Sequence, residues 1–126
     1  AVARREGAVV AAALEAIVAG GKRLRPLLVL AARGDGEHDP DTVWASDAPL
    51  VLAASAIELV HTASLIHDDI LDAADVRRGA PTVAARHGFD VAVAAGDLLF
   101  SVAFELLVFW VTKKFMPWYR REDRTN

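Results

Sequence analysis

The stretch His61-Thr62-Ala63-Ser64-Leu65-Ile66-His67-Asp68-Asp69-Ile70-Leu71-Asp72 decides the reading of this chain. Wound at about 3.6 residues per turn, it places His61, Leu65, Asp68 and Asp72 in one stripe. Asp75 is expected one turn further along the same side. Ile57, Leu59, Val60, Ile66, Ile70 and Leu71 surround the stripe, so its carboxylates sit on a helix otherwise suited to burial. Crowded carboxylates repel one another, and burying them unpaired is costly. A cation resolves the conflict, and oxygen-only ligands on one face favour a hard one, Mg²⁺. Asp68 and Asp72 are the expected metal ligands, with phosphate oxygens and water completing the shell. Asp69 points about 100° away and is expected to orient the site rather than bind metal.

Charge is segregated along the chain. Residues 1–33 carry Arg4, Arg5, Lys22, Arg23, Arg25 and Arg33 against Glu6 and Glu15. From Gly34 to Asp75 there are ten acidic residues and no Lys or Arg, after which Arg77 and Arg78 follow at once. That alternation suits a bridging metal–anion pair; it is not the continuous basic surface of a nucleic-acid binder. There are no cysteines, which excludes disulfides, thiol catalysis and zinc–thiolate sites. No signal peptide is visible, so a cytoplasmic soluble protein is expected; the chain opens without Met, which reads as a cut or incomplete N-terminus. Val91 to Val111 is nearly all apolar, but Asp97 and Glu105 interrupt it. Charges there are expensive in hydrocarbon, so a buried core helix is expected and no membrane span.

At 126 residues, 54% of them hydrophobic, the chain is one domain at most, with enough apolar side chains for a core. The spacing predicts a helix over 8–19, with Leu14, Ile17 and Val18 on one side, ended by Gly20-Gly21. A second helix opens around Lys22-Arg23-Leu24-Arg25-Pro26 and runs to about Arg33, with Pro26 in its first turn. Gly34 to Asp47 reads as an exposed loop, whose Ser46 or Asp47 caps a long helix from Pro49 to about Ala73. A charged connector, Asp75 to Pro81, leads to a short helix over 82–87 closed by Gly88. Phe89 or Asp90 then begins another long helix through Leu107. No alternating strand pattern is present, so the fold class is all-α.

Gly20-Gly21-Lys22-Arg23-Leu24-Arg25-Pro26 brings cations and backbone amides to a helix start, a phosphate-binding arrangement. Lys22 and Arg25, three apart, are expected to share a helix face. Adjacent Arg77 and Arg78 diverge and can serve two different anions. His61 aligns with the carboxylate stripe as a phosphate donor; His67 lies off it and is expected to be structural. His38 and His87 take no role in this reading.

Together these stretches resemble the trans-isoprenyl diphosphate synthases, the polyprenyl synthetase family. The match runs through Gly20 to Pro26, Glu58 to Asp72, Ala74-Asp75-Val76-Arg77-Arg78-Gly79-Ala80-Pro81-Thr82 and Ala95-Gly96-Asp97-Leu98-Leu99. The resemblance implies the N-terminal part of an isoprenoid synthase helical bundle built around a deep cavity. Its implied activity is Mg²⁺-assisted condensation of isopentenyl diphosphate with an allylic diphosphate, usually by a homodimer. Asp68 and Asp72 match the family's Mg²⁺ ligands, and Arg77 the allylic diphosphate contact. Lys22, Arg25, His61 and Arg78 match the isopentenyl diphosphate pocket. The small residues Ala63 and Ser64 just before the Asp-rich motif imply a product longer than fifteen carbons.

Family members are more than twice as long and carry a second Asp-rich motif, which this sequence lacks. Residues 1–107 therefore read as a partial synthase domain and residues 108–126, with Trp110, Trp118 and Tyr119, as an atypical tail. Two rival functions remain: a non-catalytic half-bundle that regulates another prenyl synthase, and a membrane-surface protein using the aromatic and basic tail.

Overall fold

Alanine sets the spacing between the helices. The structure, a computed structural model, describes residues 2–19, 21–32 and 48–116. Five helices occupy them: α1 (Val2–Val18), α2 (Leu24–Ala31), α3 (Ala48–Leu71), α4 (Val83–His87) and α5 (Phe89–Phe115). Between α3 and α4 lies an antiparallel pair, β1 (Val76–Arg77) and β2 (Ala80–Pro81), in register Val76↔Pro81 and Arg77↔Ala80. Apart from that two-rung ladder every described element is helical, and the fold is all-α. The Gly34–Asp47 loop, its capping residues Ser46 and Asp47, Gly20, Arg33, His38 and the tail from Pro117 lie outside the described residues.

The chain divides into two units, and α3 and α5 each pass through both. The first unit is Ala1–Lys22 with Leu59–Val102. Its core is Ala12 and Ala13 of α1, Ala63 and Ile66 of α3, and Ala92, Ala95 and Leu99 of α5. Val9, Ala16, Ile17, Leu59, Ile70 and Val83 pack around them. Side chains this small let helix backbones approach closely, at the expense of apolar area buried per residue. The buried side of α1 therefore differs from the expected one. Ala12 and Ala13 face inward with Ile17, whereas Leu14 and Val18 are exposed. Bulkier side chains would hold the helices apart.

The tightest approach is at Gly96, where the His67 ring lies so close that no Cβ could be accommodated. His67 Nε2 is 3.2 Å from the Val93 carbonyl oxygen and 3.6 Å from Asp97 Oδ1. The ring also lies 5.7 Å from that of Phe100. His67 is a packing residue that ties α3 to α5.

The second unit is Arg23–Glu58 with Ala103–Asn126. Its described part buries Ala53, Ala54, Ala56 and Ala103. The Arg23 guanidinium donates to Glu58 Oε1 at 2.6 Å, and Trp110 meets Phe115 edge-on at 6.2 Å. The second helix starts at Leu24, later than the sequence suggests, because Arg23 adopts a left-handed conformation (φ 48°) at its N-cap.

α5 runs unbroken past Leu107 to Phe115. Both α3 and α5 are long and apolar enough to cross a membrane by length and composition alone, and only about a third of each apolar segment is buried. Where a buried core helix is expected, α5 buries one side and exposes Phe104, Val108 and Phe115.

Candidate active site

The end of α3 builds the site. The Asp72 amide still bonds the Asp68 carbonyl (2.8 Å), but Ala73 then turns left-handed (φ 50°). Its amide bonds the Ile70 carbonyl (3.2 Å), and the Ala74 amide reaches back to Asp69 (2.9 Å). This is the paired 6→1 and 5→2 bonding of a Schellman closure, which satisfies carbonyls that a helix end otherwise leaves open. The early stop removes Asp75 from the carboxylate stripe. Asp75 instead accepts a backbone bond from Thr82 (2.9 Å).

Burial of the three motif carboxylates is the reverse of the expectation: Asp68 and Asp72 are exposed, and Asp69 is buried. The inward arc of α3 carries Thr62, Ala63, Ile66 and Asp69, which leaves Asp68 and Asp72 on the neighbouring open side, one turn apart. Two exposed carboxylates at that spacing suit a hard cation whose remaining ligands come from phosphate and water. Among the described residues, no group of three or more His, Asp or Glu side chains is placed to hold a metal. The donor chemistry of the Asp68–Asp72 pair fits a hard cation that takes its remaining oxygens from phosphate and water.

Asp69 finds its counter-charge across the chain reversal. Arg77 Nε donates to Asp69 Oδ1 at 2.7 Å, and Nη2 lies 2.7 Å from the same oxygen. The reversal is a two-residue hairpin with positive φ at both Arg78 (51°) and Gly79 (79°), the pattern of a type I′ turn. It lies within the charged connector expected over 75–81, where no strand is expected from sequence. Thr82, buried beneath it, donates to the Ala74 carbonyl (2.8 Å) and accepts from the Ala85 amide (3.2 Å), capping α4. Arg78 reaches the basic motif: a Cβ at Gly21 would lie 3.2 Å from its Nη1. Asp69, Arg77 and Arg78 rim a cavity of about 150 Å³, with Ala16, Leu65, Ile66 and Val83 among its apolar lining.

The remaining basic candidates are placed differently. Lys22 is exposed and precedes α2, so it does not share a helix face with Arg25, the second residue of that helix in the other unit. His61 is half-buried on α3, and its carbonyl accepts from Ser64 Oγ at 2.8 Å.

The sequence profile described as Polyprenyl synthetase matches residues 8–121. This chain belongs to the polyprenyl synthetase family. It is 47% identical over 95 residues to geranylgeranyl pyrophosphate synthase 11, chloroplastic, of Arabidopsis thaliana, covering 74% of this chain and 25% of that protein. It is 44% identical over 94 residues to heptaprenyl diphosphate synthase component 2 of Geobacillus stearothermophilus, covering 75% of this chain and 27% of that one. The geranyltranstransferase structure from Thermotoga maritima superposes with a TM-score of 0.70 at 38% identity, over 90% of this chain and 41% of that one. The chain spans about a quarter of the length of the two relatives.

Two features of this polyprenyl synthetase chain escape a reading of its sequence. Glu15 Oε2 of α1 bonds His87 Nε2 at 2.8 Å and Arg86 Nη1 at 3.2 Å. The His87 hydrogen bond is the main cause holding the Glu15 carboxyl below its ordinary range. Partial desolvation opposes it, and the charges of His87 and Arg86 add to it. Thr82 is the second, and its only signal was a Thr three residues before Ala85 at a helix start. Nothing local links Glu15 to His87, since the helices between them create the contact.

Proposed function

We propose that this chain supplies the first Asp-rich half of a prenyltransferase site, which condenses isopentenyl diphosphate with an allylic diphosphate into a longer polyprenyl diphosphate. The observation that carries the reading is an exposed i, i+4 carboxylate pair followed within one hairpin by two arginines. Asp68 and Asp72 would hold Mg²⁺, which when bound supplies positive charge to the oxygens of a departing diphosphate. Arg77 is assigned to the same diphosphate, where a fixed guanidinium stabilises charge that grows as the allylic C–O bond ionises. Lys22, His61 and Arg78 are assigned to the isopentenyl diphosphate, and Arg25 joins them by resemblance alone. Apolar side chains such as Leu65 and Ile66 keep water from the cation. The reaction needs no protein nucleophile. The allylic C–O bond breaks with loss of diphosphate, and the second substrate's double bond forms a C–C bond to the allylic carbocation. The new carbocation then loses a proton to the released diphosphate.

The small residues Ala63 and Ser64 ahead of the motif carry, by family resemblance alone, the expectation of further chain growth; Ala63 itself packs in the core of the first unit. A product longer than fifteen carbons is part of this proposal, as are a cytoplasmic homodimer without a membrane span and the assignment of residues 108–126 as an atypical tail. Exposed side chains such as Phe104 and Val108 suit a longer bundle of the relatives' length.

The 126 residues alone are expected to bind Mg²⁺–diphosphate weakly and to turn over nothing. Co-expression with the C-terminal part of a relative is expected to restore condensation, read by radiolabelled isopentenyl diphosphate incorporation. Incorporation that survives Asp68→Ala and Asp72→Ala together would refute the site. The rival reading, a non-catalytic partner of another synthase, draws on the relative named component 2. Retention of Asp68 and Asp72 argues against it, since binding alone has no need of metal ligands.

A further inference from the structure

We propose that Asp69, the second carboxylate of the Asp-rich motif, is a positioning residue for Arg77 and ligates no metal. The proposal rests on the diphosphate reading only for what Arg77 is positioned to do; the positioning itself rests on the ion pair. Two donors of one guanidinium, Nε and Nη2, converge on Asp69 Oδ1 at 2.7 Å each. That grip uses one edge of the planar group and leaves the Nη1 side as the edge an anion can take. The Asp69 side chain is only 8% exposed, so a hydrated cation has little access to it, whereas Asp68 and Asp72 are open.

The hairpin needs such an anchor. It has two rungs, and its first turn residue, Arg78, is a non-glycine in the left-handed region. Asp69 lies on a long helix and Arg77 on the first hairpin strand. Their contact therefore fixes the turn to the rigid element carrying Asp68 and Asp72. A guanidinium already fixed loses less side-chain freedom when an anion arrives.

This account and bulk electrostatics make opposite predictions for one substitution. Removing a carboxylate beside an anion site raises net positive charge and on that ground tightens anion binding. Loss of positioning weakens it. Asp69→Ala is expected to weaken Mg²⁺-dependent pyrophosphate binding about tenfold by calorimetry, since a mobile arginine must be ordered on binding. Asp69→Asn keeps an acceptor oxygen for Nε and Nη2 and is expected to stay within about twofold of the parent, still Mg²⁺-dependent. Asp68→Asn is expected to abolish the Mg²⁺ dependence.

The Arg77 Nε–H resonance gives an independent readout. It is expected to be resolved from the solvent-exposed arginines in the parent and in Asp69→Asn, and to merge with them in Asp69→Ala. Tighter or unchanged binding by Asp69→Ala would overturn the proposal, as would loss of Mg²⁺ dependence in Asp69→Asn. If Asp69→Ala does not fold, the comparison of Asp69→Asn with Asp68→Asn decides. If the parent chain binds no pyrophosphate, the diphosphate reading fails. The Nε–H signal then decides positioning on its own: resolved in parent and Asn variant supports it, and merged in the parent overturns it.

Discussion

Arg77 grips Asp69 through two nitrogens that both lie 2.7 Å from a single carboxylate oxygen. The carboxylate is buried while the arginine is about a third exposed. Removing Arg77 strands a buried charge, a loss of about 3–5 kcal/mol for fully buried pairs. Because water reaches this guanidinium, Arg77→Ala is expected to cost about 2–3 kcal/mol, read by urea unfolding. Arg77→Lys should recover only part of that, because an ammonium cannot reproduce two converging donors. Equal stability of parent and Arg77→Ala would contradict the pairing.

Ala73 closes α3 in the left-handed region at φ 50°. A Cβ there costs about 1–2 kcal/mol, and glycine gives back about 0.4–1 kcal/mol through the freedom of the unfolded chain. Ala73→Gly is therefore expected to stabilise by about 0.5 kcal/mol, raising Tm by about 2–4 °C. A lower Tm would mean that the helix does not end as described.

Gly96 has no room for a methyl group beneath His67. Gly96→Ala must push the imidazole off the Val93 carbonyl and is expected to destabilise by about 1–3 kcal/mol. The His67 ring resonances should shift in the same variant. A variant of parental stability with unmoved His67 signals would refute the contact.

Glu15 contributes a pH dependence whose sign follows from its depressed carboxyl. A group whose folded value lies below the unfolded one stabilises at pH above the ordinary value, here 4.5, and loses that contribution as pH falls through the folded value. Glu15→Gln should therefore be less stable than the parent at neutral pH, the gap closing in acid. Thermal unfolding across pH 2–7 reads this directly; a gap that stays constant would remove His87 and Arg86 as its partners.

Much of this was readable from residue spacing, and the parts that were not share a cause. The long helices, the short helix closed by Gly88 and the placement of Asp68 and Asp72 one turn apart follow from local pattern, whereas their exposure does not. Nor does the burial of Asp69, because its partner Arg77 returns only after the chain reverses at Arg78-Gly79. An arginine at the first turn position hides the hairpin, since Asn, Asp or Gly is the usual signal there. Arg23 in the left-handed region delays α2, so Lys22 lies outside the helix that holds Arg25. On α1, the small residues Ala12 and Ala13 face the core in place of Leu14, because packing distance outweighs hydrophobicity there.

The central claim is that Asp68, Asp72 and the arginine hairpin receive a metal–diphosphate together. Paramagnetic Mn²⁺ in place of Mg²⁺, titrated with pyrophosphate into the ¹⁵N-labelled chain, tests it most directly. Amide broadening centred on residues 68–78, and dependent on both components, is the predicted result. Broadening elsewhere, or none at these residues, would contradict the account.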